Sequence, residues 1–125
     1  MRRMNERAFP PSVLLVDDQP SFCEALSDLL TDEGYSVLTA GDGLQALDLL
    51  GRLTPSLILL DLQMPRMNGW EFARRLAHDP HLSEVPVLVL SGIADIAGNL
   101  PHVVRGVLPK PVILPNLLRA IREHC

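Results

Sequence analysis

Apolar residues are arranged along this chain in two rhythms. Unbroken runs recur at 13–16 (Val-Leu-Leu-Val), 57–60 (Leu-Ile-Leu-Leu) and 85–90, with weaker ones at 37–38 and 107–108. Apolar runs of this length without alternation predict strands covered on both faces, as in a parallel sheet. The segments between them follow a helical period. Phe22, Leu26, Leu29 and Leu30 share one face, and Ala46, Leu47, Leu50 and Leu53 another. Phe72, Ala73 and Leu76 form a third stripe, and Ile113, Leu117, Leu118 and Ile121 a fourth. Gly34, Asp42-Gly43, Thr54-Pro55 and Asn68-Gly69 stand at the breaks between elements, where turns and caps need them.

This order predicts a β-α unit repeated about five times, a three-layer α/β domain with a parallel sheet. One unit is irregular. Within 94–104 the apolar spacing is poor and Gly98 and Pro101 interrupt it, so a short or irregular fourth helix is expected there. Residues 1–11 are expected to be an N-terminal arm and 12–125 the folded domain, with no room for an output domain.

Composition narrows the class. The chain has 125 residues, 47% hydrophobic and 21% charged, enough for one domain with one sizeable core. A net charge of −4 argues against a nucleic-acid binder. No apolar run approaches a bilayer span. Arg2, Arg3 and Arg7 lead into no apolar stretch, so the start does not read as a signal peptide. Two cysteines, Cys23 and Cys125, make no disulfide framework, and a cytoplasmic location is expected.

The chemistry lies at the ends of the apolar runs. Asp17 and Asp18 follow the first, Asp61 the third and Ser91 the fourth, while Lys110 follows the last. Lys110 is the sole lysine beside ten arginines, a compact point charge in a chain that otherwise uses planar guanidinium. An open parallel sheet binds ligands beyond the carboxyl ends of its strands, so the fold itself would gather these groups. Carboxylates held together repel unless a cation joins them, and a hard divalent ion, Mg²⁺ above all, suits oxygen ligands. The plainer reading is that such acids cap helices, Asp18 capping the first. It suits any one aspartate better than the whole ordered set.

Val16-Asp17-Asp18, the stretch Leu60-Asp61-Leu62-Gln63-Met64-Pro65-Arg66-Met67-Asn68-Gly69, Leu90-Ser91-Gly92 and Lys110-Pro111 together resemble a response-regulator receiver domain of two-component signalling. The likeness to the chemotaxis receiver type runs from about Ser12 to Glu123, in the stand-alone single-domain form. It implies a doubly wound five-stranded parallel sheet of flavodoxin-like order 2-1-3-4-5 with helices on both faces. It implies Asp61 as phosphoryl acceptor, with Mg²⁺ held by Asp17, Asp18, Asp61 and the backbone carbonyl of Gln63. Lys110 and Ser91 would each contact a phosphoryl oxygen, Gly92 would leave space, and the Lys110-Pro111 bond would be cis. The implied partners are a sensor histidine kinase or histidine phosphotransfer protein and a downstream protein target. A homodimer is allowed, whereas direct nucleic-acid binding and membrane insertion are not expected. Turnover of an outside substrate is not expected either.

Two departures stand out. Many receivers carry an aromatic three positions before the site lysine; here that position is Val107. Signalling is therefore expected to run through remodelling of residues 92–105 rather than an aromatic rotamer. Pro109 removes a ladder donor at the end of the last strand, which only an edge strand tolerates. Three other classes compete. A phosphorylation-independent interaction module on the same fold would explain Val107. An aspartyl-nucleophile hydrolase would want a second Asp where Gln63 stands, and a flavin site would want a phosphate-cradling loop where Asp17-Asp18 stands. His78 and His81 read as surface histidines, and Trp70 as helix packing.

Overall fold

The protein is described from a computed structural model covering residues 11–62, 64, 67–91 and 100–125. The chain order is β1 (Ser12–Val16), α1 (Pro20–Asp32), β2 (Ser36–Ala40), α2 (Gly43–Leu50), β3 (Leu57–Asp61), α3 (Gly69–Ala77), β4 (Val87–Ser91), β5 (Val104–Pro109) and α4 (Leu114–His124). The five strands form one parallel sheet in the order β2-β1-β3-β4-β5. That is the expected doubly wound topology. The irregular segment anticipated between β4 and β5 lies mostly outside the described residues, as do Gln63, Gly92 and positions 1–10 of the expected arm.

The unbroken apolar runs are explained by two cores, one on each sheet face. Leu14, Val16, Ile58, Leu60, Val87 and Val89 point toward α2 and α3, where Ala46, Leu50, Phe72 and Leu76 meet them. Val13, Leu15, Leu57, Leu59, Leu88 and Leu90 point the other way, onto Cys23, Leu26 and Leu30 of α1 and Leu117 and Ile121 of α4. Successive strand residues alternate faces, so a strand buried on both must be apolar at every position.

The helix ends follow local chemistry. Asp42 and Asn68 cap α2 and α3, their side chains accepting from Gln45 N and Glu71 N at 2.9 Å each. Pro20 and Pro115 sit in the first turns of α1 and α4, where a missing N–H costs nothing. Gly34 ends α1 at φ 100°, while Tyr35 N donates to Leu30 O. That left-handed closure suits glycine alone among common residues. Three expected stripe positions differ. Leu53, half-buried, lies past the end of α2 at Leu50 because the helix stops at Gly51. Leu29 is exposed, because the buried line of α1 passes through Cys23, Leu26 and Leu30. Ile113 is also exposed, because it lies before the first turn with extended backbone and does not belong to the helical face.

The edge strand β5 carries a bulge. Val87 pairs with Val104 but Leu88 pairs with Gly106, leaving exposed Arg105 as an extra residue. As a result Val104 and Val107, three apart, both pack toward α2 and α3, and Leu108 packs toward α1 and α4. Pro109 closes this outer strand, as its missing donor requires.

Candidate functional site

Register brings the candidate residues to one sheet edge. Val16 pairs with Leu60, Asp61 with Leu90, and Ser91 with Pro109, so each strand ends level with its neighbour. Two backbone bonds extend the ladder past the strands. Asp17 N donates to Ala40 O at 3.0 Å, and Lys110 N to Ser91 O at 3.1 Å. The Lys110-Pro111 peptide is cis, as anticipated.

The side chains converge accordingly. One carboxylate oxygen each from Asp17, Asp18 and Asp61 lies within 4.8 Å of the others. Asp17 and Asp61 are buried while Asp18 is exposed. Lys110 Nζ stands 3.4 Å from both Asp17 Oδ2 and Asp61 Oδ1, joining the first strand end to the third. Asp17 is further fixed by Gln19 N, which donates to its Oδ1 at 2.9 Å. Ser91 is buried at the end of β4. Asp18 does not cap α1. Gln19 occupies that place without a side-chain bond, so the simpler reading of Asp18 fails.

The charge balance points to a ligand. Three carboxyl groups converge on a site that holds one ammonium, and each of the three offers an oxygen ligand. A hard divalent cation matches both the charge and the donor type. Asp17, Asp18 and Asp61 therefore fit Mg²⁺.

Two neighbours were not foreseen in these positions. Phe22, on the first turns of α1, places its ring 5.3 Å from Lys110 Nζ. Cys23 is buried and donates from Sγ to the Asp17 carbonyl at 3.4 Å. Burial pushes its thiol up to about 11, reinforced by the charges of Asp17 and Asp18. A cleft of about 370 Å³ runs beside the cluster, lined by Asp17, Asp18, Glu24, Asp28 and Thr39 among others, but not by Asp61 or Lys110.

The remaining candidates stay apart from this edge. His78 Nδ1 lies 2.8 Å from Arg74 O, and His81 N donates to Asp79 Oδ1. Neither joins a group of three metal-binding side chains among the described residues. Trp70 packs against the core on the α2 and α3 side.

Comparison with known proteins gives the same picture. The family described as "Response regulator receiver domain" matches residues 13–122. The chain belongs to this family. It is thus a response regulator receiver of two-component signal transduction. The polar-differentiation response regulator DivK of Brucella anthropi is 30% identical over 119 residues, covering 92% of this receiver and 96% of DivK. The chemotaxis response regulator CheY4 of Vibrio cholerae superposes with a TM-score of 0.80 at 30% identity, over 93% of this receiver and 99% of CheY4. TrrA of Thermotoga maritima, solved in complex with Mg(2+)-BeF, superposes at 0.82 with 24% identity, over 92% and 99% of the two chains. That last likeness is one of fold. The receiver spans about half the length of other curated relatives, 48–50% for four of them. No helix among the described residues is long and apolar enough to cross a membrane.

Proposed function

We propose that this receiver accepts a phosphoryl group on Asp61, in a Mg²⁺-dependent transfer from a sensor histidine kinase or phosphotransfer protein, and thereby changes its affinity for a protein target. The observation that carries the reading is the position of Lys110, its ammonium 3.4 Å from Asp17 and from Asp61 at the end of three converging strands. A carboxylate oxygen of Asp61 attacks phosphorus as the donor's bond to phosphorus breaks, giving an acyl phosphate. No proton need move at Asp61, since the ionised carboxylate is the nucleophile. The difficulty is charge, because an anionic group must approach an anionic site. Lys110 offsets it as a point charge on one phosphoryl oxygen, and the Ser91 hydroxyl donates to another. Asp17, Asp18 and Asp61 would hold Mg²⁺, with the Gln63 carbonyl as the further ligand that the family resemblance implies. Bound there, Mg²⁺ supplies charge neutralisation for the transferring group.

The chain's purpose in this reading is switching rather than turnover of an outside substrate. The phosphorylated site must interact differently with two conformations, or no signal results. A second reading, a phosphorylation-independent interaction module, is favoured by one feature: half-buried Val107 in place of an aromatic.

Intact mass after incubation with Mg²⁺ and a small-molecule phosphodonor tests the choice. One phosphoryl addition that needs Mg²⁺ and disappears in Asp61→Asn is expected. A folded protein that binds Mg²⁺ but gains no mass from phosphodonors or from a panel of histidine kinases would select the interaction module.

A further inference from the structure

Phe22 flanks the core without being enclosed by it, and the proposed transfer gives it no part. It is half-buried on α1 and leans on the same apolar cluster as Leu108 and Val112, the residues two positions either side of Lys110. Its ring lies 5.3 Å from the Lys110 ammonium, inside the range where the negative face of an aromatic attracts a cation. We infer that Phe22 is a positioning residue for Lys110, holding the ammonium over the carboxylate cluster through its ring. The inference rests on the phosphoacceptor reading only for its functional consequence.

The chemistry explains why a ring suits this place. Lys110 has a flexible four-carbon stem and enters from the last strand, while its partners lie on β1 and β3. An acidic or carbonyl neighbour would hold the ammonium but occupy one of its three donors. A ring attracts the charge without accepting a conventional hydrogen bond. The donors thus remain directed at Asp17 and Asp61, and at an incoming phosphoryl oxygen.

The test uses Phe22→Leu, which keeps apolar bulk, and Phe22→Tyr, which keeps the ring. In the Mg²⁺-free wild type the Lys110 ε-methylene protons should be shifted upfield by the ring, retained in Phe22→Tyr and lost in Phe22→Leu. With Mg²⁺ and beryllofluoride as the phosphoryl probe, Phe22→Leu should bind about fivefold more weakly, equivalent to ~1 kcal/mol at ~1.4 kcal/mol per decade. Phe22→Tyr should stay within about twofold, and Phe22→Leu should cost nothing further in a Lys110→Met background. Unshifted ε-protons in the wild type would overturn the inference. So would an equal loss of probe affinity with and without the ammonium, since the ring would then act only by packing. A wild type that takes no beryllofluoride overturns the phosphoacceptor reading instead, and the proton shifts alone then decide the Phe22 contact.

Discussion

Gly43 and Gly69 allow the packing around the site to be tested by matched substitutions. Each is the first residue of its helix, and each follows a cap whose side chain binds the N–H three residues on. Alanine should therefore bring a similar propensity gain to both, below the ~1 kcal/mol of a helix interior. What differs is the neighbour. A Cβ on Gly69 would stand 2.6 Å from the Leu62 Cα and 2.7 Å from the Asp61 carbonyl oxygen. Both are backbone atoms of the loop that leaves the proposed acceptor, and Gly69 N is itself bonded to Leu62 O at 2.9 Å. A Cβ on Gly43 would instead meet the Met67 side chain, with Sδ nearest at 2.9 Å. The Met67 Sδ can rotate away, and its Cβ at 3.1 Å need give by only a few tenths of an ångström, whereas the backbone against Gly69 must move as a unit. Overpacking against an unyielding neighbour costs about 1–3 kcal/mol. Gly69→Ala should thus lose ~2 kcal/mol net and Gly43→Ala well under ~1 kcal/mol. For a domain of this size the gap amounts to about 4–8 °C in Tm. Thermal and urea unfolding, checked for two-state behaviour, would measure it. Equal losses in the two variants, or a Gly69→Ala protein as stable as wild type, would refute the reasoning.

Three further outcomes are expected. Lys110→Met leaves buried Asp17 beside Asp61 without its ammonium, and should cost ~1–2 kcal/mol in EDTA, discounted because the lysine is partly solvated; millimolar Mg²⁺ should narrow the gap in urea titrations, and a gap unchanged by Mg²⁺ would count against a shared site. Asn68→Ala removes the α3 cap and should lose ~1 kcal/mol by the same assay, unless the Glu71 N–H finds another partner. The Cys23 thiol is raised from 9.0 to about 11, so its stabilising effect is full below pH 9 and lost as pH rises through 11; Cys23→Ala should flatten the alkaline fall in metal-free stability over that window, and native Cys23 should resist a thiol reagent at pH 8 while partly exposed Cys125 reacts.

The legibility of the fold tracked burial. β1, β3 and β4 lie inside the sheet and are apolar at nearly every position, so their runs were plain. β2 and β5 are edges with partly exposed residues, and each showed only a two-residue trace of its full length. In β5 the bulge also broke the alternation, placing Val104 and Val107 on one face. The helical period could not choose between Leu29 and Leu30, which are neighbours on α1, because the packing of α4 and the sheet decides which is covered. Of the site, the strand-end acids and Lys110 were legible because parallel topology aligns strand ends. Phe22 was not. It lies 88 positions from Lys110, and only the path from β5 into α4 brings the ammonium over its ring.

The bulge at Arg105 has a consequence for which changes the chain can absorb. Removing that residue would leave Gly106 next to Val104 and still opposite Leu88, so the strand would regain plain alternation without any change in the pairing that follows. Val107 would still face α2 and α3, Leu108 would still face α1 and α4, and the ammonium that follows would keep its side of the sheet. The unpaired residue is slack in the edge strand, absorbed locally before the chain reaches the site. A library of substitutions and a library of single deletions should therefore both find position 105 silent.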